Sequence, residues 1–172
     1  VKQEILNSAE VIIIGEPTEN QIVIAHKGAF WLEFNTWGRT AHGAMPDLGD
    51  NAIITMKEMI DWLNDLNLDY EESVLGEPTV NIATICGGTK TNVVPDHCVL
   101  TIDIRTVLGQ EHKDIFDRIQ VKSDSMGYSN FQNRCEVKVV NDRIPVFTDM
   151  NNPYVKMAMN LAGKMLTKKN SP

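Results

Sequence analysis

The order of segments between Ala29 and Asn141 constrains this chain more than any other feature of its sequence. Two kinds of hydrophobic spacing occur there: a period of two residues, typical of a half-buried strand, and a period near 3.6, typical of an amphipathic helix. They follow each other as strand, helix, strand, strand, helix, strand. The predicted strands are AFWLEFNTW from Ala29, TVNIATIC from Thr79, HCVLTIDIR from His97 and RCEVKVVN from Arg134.

Two predicted helices separate these strands. The first is capped by Asp50 or Asn51 and runs to about Leu66, and its apolar positions are Ile53, Met56, Met59, Ile60 and Leu63. The second lies within GQEHKDIFDRIQVKSDSMG and ends at Gly127, with apolar positions at Ile115, Ile119 and Val121. This order predicts an α+β fold, the ferredoxin-like βαββαβ two-layer sandwich, in which both helices cover one face of an antiparallel four-stranded sheet.

The two flanks do not fit that pattern. The apolar run Val11–Ile14 predicts a strand buried on both faces, and Pro153 begins a predicted amphipathic helix, YVKMAMNLAGKML. These segments resemble pieces of a different α/β layer. We therefore expect three regions, at 1–22, 23–145 and 146–172.

Charge and composition exclude several classes of function. The 172 residues have a net charge of −7, which argues against nucleic-acid binding because phosphate contacts need a basic surface. The longest apolar run, Val11–Ile14, is too short to cross a membrane, and no secretory leader is visible. Cys86, Cys98 and Cys135 show no CxxC spacing, which suggests reduced thiols in a cytoplasmic protein.

No complete catalytic constellation is visible from the residues alone. A zinc site needs three or four converging ligands, and the four histidines (His26, His42, His97 and His112) show no paired metal spacing. GxSxG and Walker-type motifs are absent from the sequence. What remains is a soluble α+β domain with His42 in a turn-rich loop, TAHGAMPDLGDNAI, and with a second, Asn-containing loop, GGTKTNVVPD.

Four motifs in order resemble one family. IIIGEPT, HKGAFWLEFNTWGRTAHGAMPDLGDNAI, GGTKTNVVPD and IDIR are together similar to the M20 metallopeptidases and deacylases, and the resemblance covers about Val11 to Leu166. It implies a dizinc catalytic domain that is interrupted by a ferredoxin-like dimerisation, or lid, domain. Regions 1–22 and 146–172 would then be stubs of the catalytic domain around the lid. The family's other His, Asp and Glu-Glu metal and catalytic motifs have no counterpart in this sequence.

The resemblance also implies roles for four residues. Glu16 of GEPT matches a carboxylate metal ligand, and His42 matches the lid histidine that reaches the partner subunit's active site and stabilises the developing oxyanion. Asn92 matches a substrate-binding residue, since an amide both donates and accepts hydrogen bonds. Arg105 matches an arginine that binds a substrate carboxylate.

The expected function is dimerisation and substrate capping in a zinc-dependent enzyme that hydrolyses N-acyl amino acids or small peptides. Two zinc ions would be bound by the parent enzyme and none by this chain, which is expected to be inactive alone and to form a homodimer through the uncharged strand Thr79–Cys86. An alternative is a free-standing ferredoxin-like module that binds small molecules or proteins. A complete small hydrolase is excluded by the number of ligands.

Overall fold

The computed structural model describes residues 9–19, 21–126 and 134–162. Lys27–Pro145 form one compact unit, here called the sheet domain. The described parts of Val1–His26 and Val146–Pro172 form a second unit, here called the terminal unit. The assignment of the flanks to a catalytic domain stays a prediction, because compactness alone does not test it.

The elements of the chain follow the predicted order. The strands and helices are β1 (Ala25–His26), β2 (Ala29–Trp37), α1 (Ala52–Asn64), β3 (Thr79–Gly87), β4 (His97–Arg105), α2 (His112–Ser125), β5 (Arg134–Arg143), β6 (Val146–Phe147) and α3 (Pro153–Ala162). A short 3-10 turn, Pro46–Leu48, precedes α1. In the terminal unit, β1 pairs with β6 in an antiparallel ladder.

The sheet domain contains the predicted antiparallel four-stranded sheet. Its strand order is β3-β4-β2-β5, so the second and fourth strands of the βαββαβ pattern lie at the edges. This confirms the predicted fold class. The register places Phe30 opposite Ile104 and Leu32 opposite Ile102, which aligns the buried side chains of the two central strands on one face.

Both helices of the sheet domain contribute to its core. Met56, Met59 and Leu63 of α1 are buried, as predicted from their helical spacing. In α2, Ile115 and Ile119 are buried, but the prediction for Val121 is wrong, because its side chain is 71% exposed. An α-helix turns by about 200° over two residues, so the side chain of Val121 lies on the face opposite to that of Ile119.

Ser123 occupies the buried position that follows Ile119 by four residues. Its hydroxyl donates a hydrogen bond to the Cys135 carbonyl oxygen at 2.8 Å, which satisfies the polar group within the core.

The prediction of a buried strand at Val11–Ile14 is also wrong. These four residues form no strand, and Ile13 is 85% exposed. A buried strand needs paired neighbours on both edges, and no strand in the described residues pairs with this segment.

Helix boundaries differ from the prediction by small amounts. α1 ends at Asn64, two residues before Leu66, which is an ordinary difference at a helix end. α3 begins at Pro153 as predicted. Gly127 and the end of the predicted last helix at Leu166 lie outside the described residues. Within the part of the chain that the structure describes, no helix is both long and apolar enough to span a membrane.

Candidate functional site

The loop between β2 and α1, here called the His42 loop (Arg39–Asp50), is closed by its own backbone. The Arg39 amide donates to the Asp50 carbonyl oxygen at 2.9 Å, and the Asp50 amide donates to the Arg39 carbonyl oxygen at 2.8 Å. Within the loop, the Met45 amide donates to the His42 carbonyl oxygen at 2.8 Å. His42 therefore lies in a loop whose ends are fixed to each other.

A second loop, here called the Asn92 loop (Gly88–Asp96), joins β3 to β4 and pairs with the His42 loop. The Gly43 amide donates to the Asn92 carbonyl oxygen at 2.8 Å, and the Val94 amide donates to the Ala41 carbonyl oxygen at 2.9 Å. These two bonds form an isolated antiparallel bridge between His42 and Val93. Two of the four predicted site residues, His42 and Asn92, are thus brought together by backbone contacts.

Glycines allow the close approach of these loops. A Cβ at Gly43 would lie 3.2 Å from the Cα, carbonyl carbon and carbonyl oxygen of Asn92. A Cβ at Gly38, just before the His42 loop, would lie 2.1 Å from the Asp50 carbonyl oxygen. Neither glycine has a positive φ, so the requirement at both positions is space rather than backbone conformation.

The imidazole of His42 is exposed and is oriented by the backbone. Its Nδ1 accepts a hydrogen bond from the Ala44 amide at 3.1 Å. A neutral imidazole has one donor and one acceptor nitrogen, so Nε2 carries the proton. The loop therefore presents an N–H donor at Nε2, which is the group needed to stabilise a developing oxyanion.

Asn92 is exposed next to this histidine. Among the described residues its side-chain amide has no hydrogen-bond partner, whereas its carbonyl oxygen accepts from Gly43. The backbone is therefore fixed while the amide stays available for a ligand.

An open cleft of about 580 Å³ lies between the two loops and the start of α1. Gly43, Asn51, Lys90 and Val93 contribute to its walls. Asn51 also caps α1, because its Oδ1 accepts from the amides of Ile53 at 3.0 Å and Ile54 at 3.4 Å. Lys90 also lines the cleft, and nothing in the spacing of GGTKTN indicates this position.

The sequence offers Asp50 only as an alternative cap of α1, but Asn51 is the cap and Asp50 pairs with Arg39 at the end of the His42 loop. Asp50 Oδ2 is buried and has no hydrogen-bond partner within the described residues. Burial raises the pKa of this carboxyl, and the positive charge of Arg39 opposes that rise. The carboxyl group lies at the end of the His42 loop.

Arg105 lies far from His42 and Asn92. It ends β4, whereas the Asn92 loop precedes the start of the same strand, which is roughly 27 Å long. Its Nε and an Nη nitrogen both bind Oδ2 of Asp103 at 3.0 Å. The side chain is 37% exposed, so part of the guanidinium faces solvent.

Glu16 lies in the terminal unit, in an exposed segment without strand structure. The residues that the structure describes contain no group of three His, Cys, Asp or Glu side chains able to hold a metal ion. Glu16 supplies one ligand, whereas a zinc ion needs three or four. The described residues therefore do not form the implied zinc site by themselves.

The remaining histidines and the buried thiols have structural contacts. His97 Nε2 binds Asn35 Oδ1 at 2.9 Å, and its ring stacks on Trp37. Burial raises the pKa of the Cys98 and Cys135 thiols, which disfavours the reactive thiolate.

Comparison with known proteins agrees with the fold. Residues 24–128 match the sequence model of the M20 peptidase dimerisation domain. The chain therefore belongs to this family.

Curated relatives include hydrolases of two kinds. A probable carboxypeptidase from Aspergillus flavus is 34% identical over 135 residues, which cover 72% of this chain and 32% of that protein. Acetylornithine deacetylase from Buchnera aphidicola is 28% identical over 156 residues, which cover 87% of this chain and 41% of that protein. The chain thus spans well under half the length of these relatives.

Solved structures show the same fold. A tripeptidase from Staphylococcus aureus has a TM-score of 0.61 at 22% identity, over 86% of this chain and 38% of its own. An aminopeptidase from Bacillus cereus has a TM-score of 0.61 at 21% identity, over 87% of this chain and 40% of its own.

Proposed function

We propose that this chain is the dimerisation and substrate-capping region of a zinc-dependent hydrolase of N-acyl amino acids or small peptides. The main support is the pair of backbone hydrogen bonds between the His42 and Asn92 loops, which holds an oxyanion donor beside an unpartnered amide. Membership of the M20 dimerisation family and the hydrolase relatives support the reaction class.

Self-association takes place through the edge strand β3. The strand carries no charged residue from Thr79 to Gly87, and Ile85 is 52% exposed. The opposite edge strand, β5, has charges at Arg134, Glu136 and Lys138, which discourage pairing with another chain. An uncharged edge with an exposed isoleucine favours pairing with a second copy.

In the dimer, His42 and Asn92 of one protomer act on the same substrate molecule, in the active centre of the partner. The imidazole Nε2–H stabilises the oxyanion that forms during attack on the amide carbonyl, and the Asn92 amide binds a polar group of the substrate. The two loops are bonded at adjacent residues, so they reach one centre together.

Arg105 acts at a different centre from the His42 of its own protomer. A dipeptide spans about 7 Å, much less than the roughly 27 Å length of β4. The part of the guanidinium not occupied by Asp103 binds a substrate carboxylate in the protomer's own active centre.

Zinc binding requires ligands in addition to Glu16. The two metal ions that would activate water would be held by Glu16 together with ligands outside the described residues. The 172-residue chain alone has no amidase activity. Turnover of N-acetyl amino acids by the purified chain in the presence of zinc would contradict this statement.

Sedimentation of paired variants tests the dimer. Ile85→Lys places a charge on the edge strand, whereas Val121→Lys places one on the exposed face of α2. We expect Ile85→Lys to be monomeric and Val121→Lys to remain dimeric at the same concentration. If both variants are dimeric, the interface does not include β3. A monomeric wild-type protein would contradict the proposed function itself.

A further inference from the structure

Strand β4 places a carboxylate and a guanidinium side by side on the face of the sheet opposite to the core, here called the outer face. Its residues alternate between buried and half-buried, so Asp103 and Arg105 share the outer face while Ile102 and Ile104 belong to the core. Two residues of a strand span about 7 Å, and the Arg105 side chain folds back over that distance. Its Nε and its Nη2 both lie 3.0 Å from Asp103 Oδ2.

This contact uses one edge of the guanidinium and leaves a second edge free. The N–H groups of Nε and Nη2 lie parallel on the first edge, and those of Nη1 and Nη2 lie parallel on the second. Asp103 binds both nitrogens of the first edge. Within the part of the chain that the structure describes, no group binds the second edge of Arg105. A carboxylate fits that edge with two parallel hydrogen bonds.

The sheet holds Asp103 in place from both sides. β4 is a central strand that pairs with β2 and with β3. The register places Asp103 opposite Trp31 on one side and opposite Asn81 on the other, and residues directly opposite each other share one face of a sheet. Asp103 Oδ1 is buried and has no hydrogen-bond partner among the described residues. The carboxylate therefore offers Oδ2 alone, and Arg105 binds it.

The unpaired oxygen indicates that this ion pair does not serve mainly to stabilise the fold. A buried acceptor without a partner costs free energy, and an ion pair that is partly open to solvent contributes little. The side chains of Asp103 and Arg105 are 24% and 37% exposed. Local arrangements that lower stability in this way are expected at functional sites.

A second ion pair on the outer face provides a matched comparison. Glu33 Oε1 lies 2.7 Å from Lys138 Nζ and accepts from Asn35 Nδ2 at 3.0 Å. The Glu33 side chain is 25% exposed, almost the same as that of Asp103. Its partners do not include Arg105, so its removal reports what the loss of an outer-face carboxylate does by itself.

We propose that Asp103 is a positioning residue for Arg105: by binding the Nε–Nη2 edge, it holds the Nη1–Nη2 edge free for the carboxylate of the substrate. This inference rests on the proposed function, in which Arg105 binds that carboxylate. The free edge accommodates one carboxylate, so the arrangement selects N-acyl amino acids or peptides whose terminal carboxylate is unblocked.

Hydrogen exchange of the Arg105 Nε–H in the 172-residue protein tests the positioning without a substrate. The NMR signal of this group is identified by its loss in Arg105→Lys. We expect the proton to exchange about tenfold faster in Asp103→Ala, because the hydrogen bond that protects it is removed. Glu33→Ala is the matched control and should leave the exchange rate unchanged.

Kinetics of a full-length hydrolase that carries this region test the effect on the substrate. With an N-acetyl amino acid as the probe, Asp103→Ala should raise KM about tenfold and leave kcat nearly unchanged, because a weaker grip on the carboxylate affects ground state and transition state alike. Arg105→Gln should raise KM at least as much, and the double variant should be no worse, since Asp103 acts only through Arg105. Glu33→Ala should keep the wild-type KM.

The outcomes separate this inference from the proposed function. Unchanged Nε–H exchange in Asp103→Ala, or equal acceleration in Glu33→Ala, would overturn the inference. A KM that rises in Arg105→Gln but not in Asp103→Ala would also overturn it and leave the proposed function intact. An unchanged KM in Arg105→Gln would contradict the proposed role of Arg105 and the inference with it.

A second variant covers a failure of Asp103→Ala to fold. Asp103→Asn keeps the shape of the side chain, and its neutral amide oxygen is a weaker acceptor for a guanidinium than a carboxylate is. We expect the same direction of change in exchange and in KM, and the same results would contradict the inference.

Discussion

Gly43 donates its backbone N–H to the carbonyl oxygen of Asn92 at 2.8 Å, and this contact joins the two loops that hold the candidate site. Gly43 leaves room for this contact, because a Cβ at its position would lie 3.2 Å from Asn92 backbone atoms. In the proposed function His42 and Asn92 act together, and groups that act together must be held within a fraction of an ångström, so we expect the proposed site to depend on this contact.

Gly43→Ala should separate these loops. The added methyl would lie 3.2 Å from Asn92 backbone atoms, closer than the ordinary van der Waals contact of 3.4–4 Å, so the two loops must move apart by a few tenths of an ångström. We expect a lower free energy of unfolding in urea and faster exchange of the Val94 amide. Gly15→Ala is the control, because no heavy atom among the described residues lies within 4 Å of its new Cβ. Unchanged Val94 exchange in Gly43→Ala would show that the contact is not tight.

Asn51→Ala should destabilise the helix that follows the His42 loop. The substitution removes the oxygen that accepts from Ile53 and Ile54, a change that costs about 1 kcal/mol at a helix N-terminus. Asn51→Asp keeps the acceptor and should remain close to the wild-type protein in urea unfolding. Equal losses in both variants would mean that the side chain acts through the cleft rather than as a cap.

Asp50→Asn should stabilise the protein at neutral pH. Burial raises the pKa of this carboxyl above its ordinary value of 3.8. As the pH rises through that value, the unfolded state ionises first and the folded state loses relative stability, until the pH exceeds the folded pKa. The variant should therefore be more stable at pH 7 and equal to the wild-type protein near pH 3. A variant that is less stable at pH 7 would show that the carboxylate has a favourable partner.

The fold of the sheet domain was predictable from the sequence because apolar residues recur every two residues in its strands and about every 3.6 residues in its helices. Alternation in HCVLTIDIR gives the buried set Cys98, Leu100, Ile102 and Ile104 directly. The prediction for Val121 was wrong because it used the hydrophobicity of the residue and not its helical spacing. The position four residues after the buried Ile119 is Ser123, and this residue is the buried one. The prediction for Val11–Ile14 was wrong because a short apolar run shows only that a segment is suited to burial. It does not show whether neighbouring strands are present to pair with that segment.

The candidate site was only partly predictable. Motif resemblance singled out His42 and Asn92, but the hydrogen bonds that join their loops connect residues about 50 positions apart. No local pattern encodes such a contact. The hydrogen bond between His112 Nδ1 and Asp142 Oδ1 is not predictable from the sequence for the same reason, since the two residues lie 30 positions apart on different elements.

A mixture of His42→Ala and Asn92→Ala subunits tests whether the two residues serve one centre. These variants are made in a full-length hydrolase that carries this region. In a heterodimer each centre would receive one intact and one truncated residue, so activity should stay as low as in the parents. Rescue to half the wild-type rate would show that the two residues act in different centres.

The most direct test of the proposed function uses the same full-length protein. His42→Ala should lower kcat by about 100- to 1,000-fold, and Glu16→Ala should remove activity through the metal site. Heterodimers of these two variants, purified through two different affinity tags, contain one centre with intact Glu16 that receives an intact His42 from its partner. We predict about half the wild-type activity per heterodimer. Heterodimers as inactive as both parents would contradict the action of His42 across the dimer.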